Sequence, residues 1–423
     1  MHKTSLLKQN YFPFVPEQEQ KKKHYHNNEA NKLFDQDRAL HQWYRFVLSF
    51  PPHLVQKYID RFSLKKGDIL LDPFCGTGTT LVEAKIHKIV GVGVESNKMA
   101  FFASNVKCDW DIDTEQFIAD TKHIAEISEK KIRLNKKLRT LPEDQMELLL
   151  EHSISPIPLH KTLILLETIN ESKTYFMNHY RLALAASTVR YASNLHFGPE
   201  VGVSKIKKQN SDVVADWVST TEMFARDLKG LHRIKDFPLS DIILGDSRNL
   251  ADYLTNYYGK IDAVFTSSPY PNEKDYTRTT RLESVLLGFL RNKNELREMK
   301  QKLLRSNSRN IYKHDNDDNF IIHHPEIIKL AETIESKRIA MGKTSGFEKM
   351  YHKVVRQYFG GMIRHLESLK PFLKKGAMLG YVVGDQASFL QIYIPTGKIL
   401  ADIAIRLGYK LISVDLFRTR FAT

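Results

Sequence analysis

Four short clusters along this chain set acids, hydroxyls and one aromatic ring where chemistry could be done. The first is Asp72-Pro73-Phe74-Cys75-Gly76-Thr77-Gly78-Thr79-Thr80, directly after the apolar run Ile69-Leu70-Leu71. Glycines in such a loop admit φ > 0 and let the backbone approach a ligand that a side chain would hold away. The second is Glu95, closing the β-branched run that begins at Ile89. A carboxylate at a strand end suits the two hydroxyls of a ribose. The loop has no Lys-Ser/Thr pair after its glycines, so it is not a Walker phosphate loop, and it lacks the third glycine expected for a pyrophosphate. A nucleoside without a phosphate chain fits it best. The third cluster is Gly245-Asp246-Ser247-Arg248 and the fourth is Ser267-Ser268-Pro269-Tyr270.

The elements that must carry these residues alternate in period. Residues 68–72 and 89–95 read as strands, each followed by a helical pattern, and further strands are expected at 241–244, 261–266 and 377–383. This βαβα order predicts an α/β fold with a doubly wound, parallel sheet and helices on both faces. Each polar cluster falls just beyond the carboxyl end of a strand, the edge where open α/β sheets bind ligands. Ahead of the first strand, Leu40, Trp43, Tyr44, Val47 and Leu48 are spaced three and four apart and predict a helix from Asp37, broken by Pro51-Pro52. A second short helix is expected at 53–61.

Taken with Ser267-Ser268-Pro269-Tyr270, the Asp72 to Thr80 loop resembles the S-adenosylmethionine-dependent amino-methyltransferases of DNA, which modify cytosine N4 or adenine N6. The family's first motif reads Asp-Pro-Phe-x-Gly-x-Gly-Thr-Thr and its second Asp/Asn/Ser-Pro-Pro-Tyr/Phe/Trp. The match covers roughly half the chain by eye: the sheet core and the 37–55 approach. The resemblance implies a class I, Rossmann-like methyltransferase fold. It also implies that Asp72, Phe74, Gly76, Gly78 and Thr79 surround the cofactor's methionine part, that Glu95 holds its ribose and that Asp246 faces its adenine. In the second motif the Ser267 hydroxyl and the Ser268 carbonyl would accept the two N–H bonds of an exocyclic amine. That pull towards tetrahedral geometry frees a lone pair otherwise delocalised into the ring. Pro269 would stiffen the turn, and Tyr270 would stack on a base flipped from the duplex. Transfer is then direct displacement at the sulfonium methyl. Ser268 departs from the family's proline, while Ser at the first position leans towards cytosine N4 over adenine N6. Two other readings stay open: an RNA guanine-N2 methyltransferase with a similar first loop, and a cofactor-binding recognition subunit with a decayed catalytic loop.

The 423 residues carry 63 Lys+Arg against 49 Asp+Glu, a formal charge of +14. Such a surface attracts polyanions without conferring specificity. The implied partner is double-stranded DNA, with a separately encoded restriction endonuclease as the other half of a restriction-modification pair. Two cysteines supply neither a disulfide framework nor a zinc set, and no metal site is expected. Cys75 and Cys108 are not preceded by proline, which argues against C5-cytosine chemistry. No apolar run approaches the ~20 residues of a membrane span, and no secretory leader is read, so a cytoplasmic protein is expected. By region we expect a basic arm at 1–36, the methyltransferase domain at 37–112, 240–290 and 346–423, a helical, strand-free insertion at 113–239, and a second insertion at 291–345. Target recognition is assigned to the insertions, through Arg190, Asn194, His196, Lys205, Lys207, Lys208, Arg305 and Arg309. Residues 410–417 read as a strand whose antiparallel neighbour is missing, shortened or supplied by another polypeptide.

Overall fold

Short β-branched runs that end in an acid can be buried on both faces only as central parallel strands, and a computed structural model shows them so. It describes residues 33–46, 49–198, 200–231 and 236–416. Strands β1 (Ile69–Asp72) and β2 (Val90–Glu95) bracket helix α2 (Thr79–Ile86), which is preceded by α1 (Pro52–Arg61). After α3 (Lys98–Cys108) and α4 (Thr114–Leu134) the chain forms a small antiparallel pair, β3 (Leu195–Phe197) with β4 (Val201–Val203). It then returns to the sheet as β5 (Asp241–Leu244), β6 (Ile261–Thr266) and β7 (Leu373–Tyr381). The order is β5-β2-β1-β6-β7, every pairing parallel. The chain winds outward through β1, β2 and β5 and then crosses back to β6 and β7, so the switch point lies between β1 and β6. This is the Rossmann-like methyltransferase arrangement expected.

Both insertions pack into the same unit as the sheet, which spans residues 33–414. One apolar core joins Leu81 and Val82 of α2 and Met99 and Val106 of α3 to Phe117, Leu165, Tyr180, Trp217 and Phe224 of the 113–239 region. A second core joins Leu304, Ile321 and Ile327 to Tyr358, Phe359 and Ile363 on the helix Tyr351–Leu369. Here Gly360 is required by close approach: a Cβ would lie 1.9 Å from the Asp317 carbonyl oxygen. The helix can thus touch the turn Asp317–Ile321 backbone to backbone.

Four expectations are corrected. The segment from Asp37 is a short 3-10 turn followed by further turns, because Leu40 takes φ +63° and Asp227 accepts hydrogen bonds from Leu40 N (3.0 Å) and Trp43 Nε1 (2.9 Å). Its apolar spacing is real, since Trp43 is fully buried and stacks on Phe224 at 4.0 Å, but it reports burial of turns, and Val47 and Leu48 lie outside the described residues. The 113–239 region is not strand-free: β3 and β4 occur there, each three residues long, too short for alternation to be legible. Residues 410–416 form no strand, and Leu411, Ile412 and Val414 are exposed. No antiparallel strand adjoins β7 among the described residues. The last sheet strand also starts at Leu373, ahead of the expected 377. Among the described residues no helix is long and apolar enough to cross a membrane.

Gly360→Ala should lower unfolding free energy by about 3 kcal/mol, since neither backbone can retreat without opening the core. Urea denaturation followed by circular dichroism would measure it, and a shift under about 0.5 kcal/mol would show that the contact is not tight.

Candidate active site

At the switch point the Asp72 carboxylate is fully buried and accepts from Thr266 Oγ1 (2.6 Å), Thr80 Oγ1 (2.7 Å) and Phe74 N (3.1 Å). Burial pushes its pKa up to about 6 against these three bonds, which favour the charged form. It therefore clamps β1, the start of α2 and the end of β6 together. Gly78 completes the loop at φ +83°, where a Cβ would sit 2.9 Å from Ser104 Cβ on α3. Glu95 accepts from Gly76 N (2.8 Å) through one oxygen and from Asn97 N (2.7 Å) through the other. Burial pushes this carboxyl up to about 7, opposed by the backbone N–H groups. Asn97 in turn caps α3 through bonds from Met99 N and Ala100 N, which fixes the turn that presents Glu95.

Above this edge lies a cavity of about 510 Å³. Phe74, Gly76, Thr79, Glu95 and Asp246 stand in its wall together with Ser267, Ser268, Pro269 and Tyr270. Asp72 and Gly78 do not: they hold the loop from behind, so their place is structural support and not the cavity surface. Tyr270 and Ser267 share a hydroxyl hydrogen bond of 3.1 Å, and the Tyr270 hydroxyl also reaches the Val382 carbonyl at 3.5 Å. Ser268 is buried and its Oγ has no protein partner.

Asp246 is not a lone carboxylate. Arg248 donates to it from Nε (3.0 and 3.2 Å) and Nη2 (2.6 Å), and to Asp317 from Nη1 (2.5 Å). Arg364 adds a second cation on Asp317 at 3.1 Å. This buried network ties the end of β5 to the second insertion and to the helix Tyr351–Leu369. Close by, His365 lies between the Ser247 carbonyl and the Tyr381 hydroxyl, both at 2.7 Å, with Phe74 edge-on to its ring. Burial lowers the imidazole pKa to about 4, so it is neutral, donating from Nδ1 and accepting at Nε2. The pair Asp246-x-Arg248 is adjacent in sequence, whereas Asp317 and His365 carried no signal of their own. Missed too were Tyr44, Arg45 and Phe46, which reach the cavity from the turns before α1.

The expected DNA-contacting residues divide. Arg190 and His196 line the cavity, and Lys205, Lys207 and Lys208 lie in the loop after β4. Arg309 packs over the Phe347 ring at 4.9 Å. Asn194 and Arg305 are corrections. Asn194 is 2 % exposed and spends its amide on His152 O, Ser155 Oγ and Lys208 N, while Arg305 is 3 % exposed and pairs with Asp315. Both types suit a base edge on paper, but burial commits them to the fold. Cys75 and Cys108 are free, buried thiols, the latter pushed up to about 11 by burial. Among the described residues no group of three or more His, Cys, Asp or Glu is placed to hold a metal.

A parallel sheet reversed at β1 and β6, with acids and glycines along one edge and a Ser-Ser-Pro-Tyr loop at the same cavity, has the Rossmann-like methyltransferase fold. A family described as DNA methylase matches residues 4–105. The chain is similar to the type II methyltransferase M.BsoBI of Geobacillus stearothermophilus, 25% identical over 450 residues that cover 98% of this chain and 86% of that protein. It also resembles the type II methyltransferase M.AvaI of Nostoc sp. and of Anabaena variabilis, 27% identical over 170 residues in each case, 38% of this chain and 33% of theirs. No solved structure matches. With the fold, these matches support likeness to the N4/N6 DNA amino-methyltransferases.

Arg248→Ala should destabilise the protein by about 3–5 kcal/mol, because it leaves two buried carboxylates without their shared cation. Chemical denaturation would read this, and an unchanged midpoint would remove the network from the account of the fold.

Proposed function

We propose that the protein transfers a methyl group from S-adenosylmethionine to an exocyclic amine of a base flipped from double-stranded DNA, with cytosine N4 favoured over adenine N6. The observation that carries this reading is one cavity whose wall includes both Gly76 and Glu95 and the loop Ser267 to Tyr270. Its volume of about 510 Å³ lies within the ~300–1,000 Å³ of small-molecule sites. The fit to the cofactor rests on chemistry of this wall. Glu95 is already oriented by two backbone N–H groups and keeps lone pairs for a ribose diol, while Thr77 Oγ1 is buried in the same wall with no protein partner.

When bound, S-adenosylmethionine supplies a methyl group activated on a sulfonium. Glu95 holds the ribose, Asp246, fixed in plane by Arg248, faces the adenine, and Phe74, Gly76 and Thr79 border the rest. Ser267 Oγ and the Ser268 carbonyl accept the two amine hydrogens and draw the nitrogen towards tetrahedral geometry. Tyr270 stacks on the base, its phenol steadied by Ser267. No covalent enzyme intermediate is needed, and the effect is one of orientation. Recognition falls to the 113–239 and 291–345 regions, with Arg190, His196, Lys205, Lys207, Lys208 and Arg309 on phosphates and base edges. The type II relatives support a role as the modification partner of a separately encoded endonuclease, in the cytoplasm.

Tritiated methyl transfer to unmethylated duplex DNA and to tRNA tests the activity: DNA should be labelled and tRNA not, with Tyr270→Ala lower by about 10²-fold. Label in DNA no higher than in the Tyr270→Ala control would sink the reading. Nucleoside mass spectrometry should return N4-methylcytosine, and N6-methyladenine would overturn the choice of base. DNA affinity should fall steeply with salt through counterion release, while cofactor affinity barely changes.

A pH series gives a further check. Because the Glu95 carboxyl sits near 7 before ligand arrives, it takes up a proton below that pH and loses its acceptor role. Cofactor affinity should therefore weaken as pH falls from 8 to 6, and Glu95→Gln should be weaker throughout with a shallower profile. A wild-type profile as flat as that of the variant would remove Glu95 from the ribose.

A further inference from the structure

The cavity has a second polar pole that neither sequence motif accounts for. Glu283 is 1 % exposed, yet stands in the cavity wall beside Tyr44, Arg45 and Asn97. The Tyr44 hydroxyl donates to its Oε1, while Oε2 is buried with no hydrogen-bond partner. Among the described residues no basic side chain forms an ion pair with it. Burying an ionised carboxylate with half its acceptors unused costs several kcal/mol unless a cation or donor arrives. Burial accordingly pushes this carboxyl up to about 7, with the Tyr44 bond acting against the rise. Two more wall residues share the condition: Thr77 Oγ1 and Arg278 Nε are buried and unpartnered. One acid oxygen, one guanidinium Nε and one hydroxyl left unsatisfied in the lining of one cavity match the three needs of an α-amino acid: an acceptor for its ammonium, a cation for its carboxylate and a hydroxyl able to serve either.

We propose that Glu283 accepts the ammonium group of the amino-acid end of the bound cofactor, with Arg278 meeting its carboxylate and Thr77 bonding alongside. The assignment rests on the cofactor reading above and deepens it. It also fills a gap, since Asp72 and Gly78, expected at the methionine part, stand behind the wall. The helix Arg281–Leu286 that carries Glu283 follows the Ser267 to Tyr270 loop by a dozen residues, so binding at this pole also orders the segment leading out of the catalytic loop.

Isothermal titration of the full chain with two ligands tests it. S-adenosylhomocysteine carries the amino-acid end, whereas 5′-methylthioadenosine has the same nucleoside without it. Glu283→Gln should weaken S-adenosylhomocysteine by about 10–100-fold, the range for a lost charged hydrogen bond, and leave 5′-methylthioadenosine within about twofold. Arg278→Gln should show the same selectivity, and retained 5′-methylthioadenosine binding certifies that each variant is folded. Equal loss for both ligands, or no loss for S-adenosylhomocysteine, overturns the assignment. Wild-type protein that binds neither ligand would overturn the cofactor reading itself, a result distinct from either.

Discussion

The hydrogen bonds from Thr80 and Thr266 to the buried carboxylate of Asp72 are the constraint on which the site depends. They lie where the direction of the sheet reverses, and there alone do the loops after β1 and β6 diverge to opposite faces and leave a crevice. One carboxylate fixes the glycine loop through Thr80 and Phe74 and fixes the root of Ser267 through Thr266. The glycine loop and the Ser-Ser-Pro-Tyr loop are thus not two independent features brought near each other. They are two branches of one buried polar cluster, and their separation is set by hydrogen-bond lengths.

A second cluster extends this frame into the insertions. Arg248 is shared between Asp246 at the end of β5 and Asp317 in the second insertion, and Arg364 holds Asp317 from the helix Tyr351–Leu369. Gly360 allows that helix the close contact the arrangement needs. A region that reads as a charged appendage is in fact one wall of the cavity, through Leu303, Leu304, Ser306 and Asn310. The first insertion is bound as firmly, by an apolar core continuous with α2 and α3. Movement of either insertion when DNA arrives therefore has to be transmitted through these cores rather than around them.

The net charge of +14 acquires a narrower meaning against this background. Acids with raised pKa values, Asp72, Glu95 and Glu283, are gathered inside the cavity and beneath it, whereas Arg190 lies on the helical turn before the first insertion's hairpin and the lysines at 205, 207 and 208 on the loop after it. With pKa values of about 7, Glu95 and Glu283 are near half-charged at neutrality, so they repel an approaching phosphate backbone less than their number suggests.

Local patterns were enough to read the strands, the parallel sheet, the glycine loop and the Ser-Ser-Pro-Tyr loop, because each depends on neighbours within a few residues: alternation of burial, turn chemistry, an acid closing a strand. The turns from Asp37 were misread as a helix because period alone does not distinguish a buried helix from buried turns. The hairpin β3–β4 was missed because three residues carry too little period. Asn194 and Arg305 looked like readers of DNA because residue type says nothing of burial. What the sequence by itself determined was the class of chemistry and the edge of the sheet where it occurs. Only the tertiary structure decided which side chains face the cavity: Asp72 withdrawn, Asp246 tied to Arg248, Glu283 brought into the wall. Those assignments depend on partners up to 239 residues apart, and no local pattern encodes such a meeting.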